Sequence, residues 1–580
     1  MFPFRLFQSF YPFENPIGFG AVDFIELALA ALLLLLVFAR PVLEPLAAKF
    51  ALRAGSCMLL LAVLPLALRF ILLVHYPIPT PYVADEFSYV LLADTLRHFR
   101  LTNPPHALPQ FFETYFVLQA PTYSSIYALG QGIVLAFGWM LFGHPWAGVA
   151  LSIAAMCALC YWALRAWTTP GWALLGGCLA AIQFGPLNQW MNSYWGGAVC
   201  ACAGCLVVGS LPRLKEGWRT RDAALLGLGI AIHLLTRPYE TIFLCFAVAL
   251  FFLPCLRRRD AWMPLARAAG IVVLVVMPAI GLTLLHNHAV TGSWTTHPYA
   301  LSRYQYGIPT SFTFQPPAEP HRDLTQQQRL DYLAQADLHG PGTDTFKTYF
   351  QRLGRNVRFY RFFLLIPLYL ILPFALLRMR EYRFVWILLT ILIFAFGTAF
   401  YPYFFTHYIA AETCLFVLLG VTALERLSRL SVAGSTAGLH ASRLVVFLCL
   451  AHFLFWYGLH LFRPSEVASA AIRYETWDAI NYGDPDGRIA VAAQLAQAPG
   501  THLVFVRYWP QHRFKEWVYN AADIDSARIV WARDLGPEDN ARLAHYYPNR
   551  TLWLLEPDAR PPRLSRYLVG SSGGIQELHW

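Results

Sequence analysis

Apolar and polar positions in this chain are sorted on a coarse scale. Apolar runs long enough to approach the ~20 residues that cross a bilayer recur along most of its length, separated by short Arg- and Lys-bearing clusters or by longer polar segments. This pattern predicts spanning helices near 21–39, 56–74, 146–167, 171–188, 195–212, 222–236, 241–256, 265–286, 359–378, 383–402, 404–424 and 443–462. The basic loops Arg40 to Arg53, Arg165, Arg213 to Arg221, Arg257 to Arg267, Arg378 to Arg383 and Arg426 to Arg443 mark the cytoplasmic side. Segments 75–145, 188–195, 237–240, 287–358, 403–407 and 463–580 then fall on the opposite face. Ser125 to Phe142 also has the pattern of a helix. Counting it as a span would turn several basic loops outward, so it is expected to lie along the interface within the first external loop, the alternative being a true span with another helix miscounted.

The predicted fold class is mainly α: a polytopic helical membrane protein of about 12 spans, with a small C-terminal α/β region outside. Residues 1–463 form the transmembrane part, with 75–145 and 287–358 as its two long external loops, and 464–580 form the soluble unit. In that unit His502 to Arg507, Ala527 to Ala532 and Thr551 to Leu555 read as strands, and Pro537 to His545 as a helix. The 287–358 loop contains a proline-rich stretch, Ile308 to Pro320, then a polar helix candidate, Leu324 to Ala336, and reads as a cover over a site.

Composition agrees with the pattern: 57% of the 580 residues are hydrophobic and 13% charged, far from a soluble domain. The net charge of +10 sits mainly in inter-helix loops, so it argues for membrane orientation and against nucleic acid as a partner. The first strongly apolar run, Ala28 to Ala39, has no basic segment before it and no small-residue cleavage site after it, so it is expected to remain as a helix. All 11 cysteines lie in or at apolar segments, so no disulfide framework is expected, and Cys200, Cys202 and Cys205 read as helix-packing residues.

Candidate chemistry gathers on the external face. Asp85-Glu86 follows the second span directly, after Pro77, Pro79 and Pro81. An acidic pair in the first turn of a helix complements the helix dipole. A carboxylate at this place can also take a proton from an attacking hydroxyl. Arg237, in Thr236-Arg237-Pro238-Tyr239-Glu240, stands at the outer end of a helix where a guanidinium meets a phosphate bidentately, or pairs with Glu240. His407-Tyr408 begins a late helix after Tyr401-Pro402-Tyr403. The turn Asn188 to Gly197 carries Asn192, Tyr194 and Trp195, whose amide and ring faces suit sugars. His286-Asn287-His288 has a ligand-like spacing, but helix-end histidines are more often interfacial, and no metal is expected there. No Gly-rich phosphate loop, Walker sequence or nucleophile elbow appears.

The outward-running helix, Asp85-Glu86 with Tyr89 three residues beyond the Glu, and the proline-led segment Pro121-Thr122-Tyr123 together resemble the GT-C superfamily of membrane glycosyltransferases. The protein O-mannosyltransferase and aminoarabinose transferase branch is the most similar. The resemblance implies a sugar donor on a polyprenyl phosphate, a lipid, glycan or protein acceptor, inversion at the anomeric carbon, and no cofactor. It implies Asp85 as general base, with Glu86 orienting the acceptor or lying near the donor. Tyr89, Tyr123, Asn192, Tyr194, Trp195, Glu240, His407 and Tyr408 are the substrate-binding candidates. Where the aminoarabinose branch has Lys-Pro, this chain has Ala120-Pro121, so the phosphate needs another cation, for which Arg237 is the first candidate. The expected location is the bacterial inner membrane, in contact with its lipids and with the site facing the periplasm or exterior. The rival class is a transporter or flippase, which requires a polar path near the bilayer midplane; Arg69 and His233 are the notable deep polar residues.

Overall fold

The computed structural model describes residues 32, 43–378, 380–431, 434–462, 484 and 486–568. The expected span at 21–39 lies outside the described residues, Leu32 excepted. Among the described residues, seven helices are long and apolar enough to cross a membrane: Ala54–Val74, Trp146–Leu164, Gly197–Gly217, Pro238–Arg257, Arg259–Thr291, Thr406–Ser428 and Ala437–Phe462. Shorter helices at Pro170–Phe184, Thr220–Thr236 and Tyr382–Thr398 occupy three more of the expected positions. The chain is an integral membrane protein. Gly197–Gly217 and Thr406–Ser428 are almost wholly enclosed by other helices, whereas Arg259–Thr291 leans on Thr220–Thr236 and leaves most of its apolar surface outward, as a lipid-facing helix must.

One segment departs from the expected pattern. Instead of one span, 359–378 contains 3-10 turns at Arg358–Phe363 and Leu372–Arg378 around a single α turn, Ile366–Tyr369. Pro367 and Pro373 each remove a backbone N–H close to that turn, a loss that Arg259–Thr291 absorbs at Pro264 and Pro278 without breaking. Leu129–Phe142, expected as a helix, is one of 14 residues, nearly as long as Pro170–Phe184 with 15. It is held against Trp146–Leu164 by backbone contact at Gly138, where a Cβ would sit 2.0 Å from the amide nitrogen of Gly148.

Ion pairs join the basic loops at one end of the bundle. Arg383 meets Glu216 at 2.9 Å, Arg443 meets Glu44 at 2.7 Å, and Arg378 and Arg426 share Glu381 at 2.8 and 3.3 Å. The long polar segments meet at the other end, and there the C-terminal residues form a four-stranded sheet. Its order is Ile529–Arg533, His502–Val506, Thr551–Glu556, Arg563–Arg566; the first three are parallel and the last antiparallel. All three expected strands and the Pro537–Tyr546 helix are present, joined by a fourth strand and the Arg488–Gln497 helix.

Side chains alternate across this sheet with the period of two that a strand imposes. Val504 and Val506 pack with Val491, Leu495 and Trp517 on one face. Leu503 and Phe505 on the other pack with Leu91, Phe111, Phe112 and Tyr123, which belong to the first external loop. The sheet is thus seated directly on the segment that carries Asp85.

Gly204 faces the backbone of Ala411, where an added Cβ would lie 1.9 Å from the carbonyl oxygen, while Gly270 has nothing within 4 Å. Gly204→Ala is expected to destabilise by about 1–3 kcal/mol through overpacking, lowering the Tm of the purified protein by several degrees. Gly270→Ala should leave Tm unchanged or slightly raised.

Candidate functional site

Asp85 and Glu86 stand in the first turn of Ala84–Arg97, and their surroundings give them different work. Glu86 is buried. Its Oε2 accepts from the backbone N–H of Tyr82 at 2.8 Å and of Val83 at 3.2 Å, and its Oε1 accepts from the N–H of Tyr194 at 2.9 Å. Both oxygens are therefore engaged by backbone, and the side chain fixes the helix start against the 188–195 turn. That is a correction to its expected place beside a substrate. Burial pushes its pKa up to about 7, against the pull of those three N–H groups.

Asp85 keeps partial solvent contact. Its Oδ1 accepts from the Tyr127 hydroxyl at 2.5 Å. Burial raises its pKa above the ordinary carboxylate value, and the Tyr127 hydrogen bond and the Arg237 charge draw it partly back. Tyr89 stacks on Tyr127 with ring centroids 4.3 Å apart.

Arg237 faces the same space from the bundle. Pro238 disfavours helical backbone in the residue before it, so Arg237 (φ −140°, ψ 76°) ends Thr220–Thr236 and caps Pro238–Phe252. Its guanidinium lies over the ring of Tyr408 at 4.6 Å. The nearest carboxylate oxygen, Glu240 Oε1, is 3.9 Å away, beyond hydrogen-bond reach. Among the described residues no oxygen accepts a hydrogen bond from this side chain. Glu240 Oε1, His407 Nδ1 and Trp195 Nε1 are buried without a hydrogen-bond partner, and Trp195 packs edge-on against His407 at 5.2 Å. A half-buried cation with no oxygen acceptor, beside polar atoms that lack partners, is an arrangement suited to a polar ligand.

Of the residues singled out in the sequence, Asp85, Tyr89, Arg237, Glu240, Trp195, His407 and Tyr408 converge here. Three do not, and each is corrected to a supporting place. Tyr123 turns its hydroxyl to the carbonyl of Asn520 at 3.1 Å, joining the first loop to the C-terminal sheet. Asn192 accepts from Arg69 Nε at 2.8 Å and donates to the carbonyls of Pro186 and Asn188, leaving its amide fully engaged. Tyr194 donates its hydroxyl to Pro79 at 2.7 Å, steadying the approach to Asp85. His286 is buried while His288 is exposed against Trp294, so this pair cannot converge on one ion. Among the described residues no group of three or more metal-ligating side chains exists.

The structure adds side chains that spacing did not reveal. Tyr127 holds Asp85, and Tyr299 bonds Tyr403 hydroxyl to hydroxyl at 2.9 Å. Arg303 lies 5.6 Å from the ring centroid of Tyr299 and carries a second guanidinium toward the recess. Tyr299 and Arg303 share a face of the Pro298–Tyr306 helix at a spacing of four, a weak signal in a tyrosine-rich loop. The 287–358 segment is locked to the first loop through Glu113, which pairs with Arg322 and accepts from the Tyr306 hydroxyl at 2.9 Å. The helix bearing Asp85 is also held from outside: Phe87 stacks on Tyr519 at 4.4 Å, and Asp94 Oδ2 accepts from Ala522 N–H at 2.7 Å.

No protein-family profile matches this chain, and no curated protein matches it in sequence. Solved membrane proteins of similar fold include ArnT from Cupriavidus metallidurans bound to undecaprenyl phosphate, with 12% identity, 85% of this chain and 92% of that one covered, and a TM-score of 0.46. The oligosaccharyltransferase of Archaeoglobus fulgidus in its apo form is similar over 87% of this chain and 69% of its own, with 12% identity and a TM-score of 0.43.

Glu86→Ala is expected to leave three backbone N–H groups without their acceptor, at about 1–3 kcal/mol for a buried unsatisfied group, read as a lowered Tm. The folded-state pKa lies above the ordinary 4.5, at about 7, so protons favour the folded form. The advantage of wild type over Glu86→Gln should therefore be greatest below pH 4.5 and shrink as pH rises through about 7.

Proposed function

We propose that this chain is a membrane glycosyltransferase that moves a sugar from a polyprenyl-phosphate donor to a lipid, glycan or protein acceptor, with inversion, on the face away from the cytoplasm. The observation that carries this reading is the pairing of Asp85, partly open and held by Tyr127, with an Arg237 whose guanidinium donates to no protein oxygen among the described residues. Asp85 can take a hydroxyl proton, and Arg237, with Glu240 at 3.9 Å and no oxygen acceptor, can donate to a phosphate.

In the proposed reaction the acceptor hydroxyl attacks the anomeric carbon from the side opposite the phosphate. The new glycosidic C–O bond forms as the bond from that carbon to the phosphate oxygen breaks. The hydroxyl proton passes to Asp85, and the electron pair leaves with the phosphate, whose charge Arg237 neutralises. Glu86 acts through position alone, by setting the helix turn that aims Asp85. The surrounding Trp195, His407, Tyr408 and Tyr299 rings exclude water and offer faces to the sugar and prenyl phosphate. The transporter reading has less support. Arg69 is engaged by Asn192, Tyr76 and Pro77, and His233 Nδ1 pairs with Thr241 at 2.8 Å.

Transfer of labelled sugar from polyprenyl phosphate in membranes tests the proposal. Asp85→Asn is expected to lower kcat by about 10²–10⁴, the range of a lost general base. Arg237→Ala should weaken donor binding and slow transfer together. Undiminished transfer by Asp85→Asn overturns the mechanism.

Tyr127→Phe removes a hydrogen bond that lowers the Asp85 pKa. Because Asp85 must be ionised to act, the acidic limb of the kcat/KM profile should move to higher pH in this variant. A limb that stays in place, or moves the other way, shows that another group sets it.

A further inference from the structure

Beyond the recess, two cavities adjoin on the C-terminal unit. One, of 490 Å³, runs from Tyr82 and Phe87 along the Arg488–Gln497 helix; the other, of 210 Å³, lies under Trp509. They share Asp486, Lys515 and Trp517 as lining, so they adjoin along one groove-like face. Its inner end is Phe87, two residues from Asp85 on the same helix.

The groove is built rather than incidental. Trp509 is 55% exposed, yet its backbone N–H is held by Asp558 Oδ2 at 2.9 Å, and the same carboxylate holds His512 at 2.7 Å. A large ring is thus displayed on a braced loop. At the centre Lys515 bridges Asp486 at 2.6 Å and the Tyr82 hydroxyl. Toward the inner end the Arg488 guanidinium lies 4.4 Å from the Phe87 ring and donates to the carbonyls of Glu516 and Trp517.

This lining selects against several occupants. Acidic and basic side chains balance along the groove, which favours neither a polyanion nor a polycation. Exposed aromatic faces interleaved with paired polar groups suit a ligand that is apolar on its ring faces and rich in hydroxyls at its edges. We infer that this groove binds the carbohydrate portion of the acceptor beside the start of the helix that carries Asp85, making the acceptor a glycan or glycolipid. The inference rests on the glycosyltransferase reading and narrows its acceptor class.

The test places p-benzoylphenylalanine at Trp509 or at Ala493, one in each cavity, in the full chain in membranes of its source cells. After irradiation, adducts from both positions should release hexose or pentose fragment ions in mass spectrometry. A probe at Leu535, outside the groove, should give none. Adding Trp509→Ala to the Ala493 probe should cut the glycan adduct about tenfold, as loss of a well-packed aromatic anchor does. Adducts that are only peptide or only acyl lipid, or no adduct from either position, overturn the inference. The two readings fail separately. Intact sugar transfer without glycan adducts removes the groove alone, and glycan adducts in a chain that transfers no sugar remove the proposed chemistry alone.

Discussion

The Glu86 carboxylate is the constraint on which the rest depends. One buried side chain accepts three backbone N–H groups, two from its own helix start and one from Tyr194, more than a hundred residues away in sequence. Removing a carboxylate from water is costly, and these bonds offset the cost only when all three are made. The helix start, the 188–195 turn and the Pro77–Pro81 approach must therefore come together or not at all. Arg69 repeats the device from the bundle side by joining the end of the second expected span to Asn192 and to the carbonyls of Tyr76 and Pro77. Asp85 inherits its aim from this frame, and Phe87 and Asp94 clamp the same helix to the C-terminal sheet.

Within that frame the contrast between adjacent acidic residues becomes physical. Glu86 has every oxygen engaged by backbone, whereas Asp85 has one hydrogen bond from Tyr127 and faces a recess. Arg237 is the counterpart on the bundle side, brought there by a helix break that Pro238 enforces. Satisfied polar groups hold this frame, whereas Glu240 Oε1, His407 Nδ1 and Trp195 Nε1 are left unpartnered beside Arg237, where a ligand can supply the missing partners.

Much of the bundle was legible because a spanning helix must be long and apolar, and its loops must be basic on one side. The C-terminal strands were legible from period-two alternation, visible in Leu503, Val504, Phe505 and Val506. The break at 359–378 was missed because hydropathy does not register breaks in the backbone. At the site, Asp85 and Arg237 stood out as charges beside apolar runs. Tyr127 and Tyr299 did not, since among 29 tyrosines only the fold distinguishes those that meet a carboxylate from those that line an interface. The same blindness made Asn192 and Tyr194 look like ligand contacts: their polarity was visible, but not the backbone groups that already engage it.

A structure of the protein with a polyprenyl-phosphate sugar bound tests the central claim most directly, namely that the recess between Asp85 and Arg237 is where transfer occurs. The account predicts phosphate oxygens about 3 Å from the Arg237 guanidinium, with the anomeric carbon on the side facing Asp85. Phosphate bound elsewhere on the bundle, out of reach of Arg237, would contradict it.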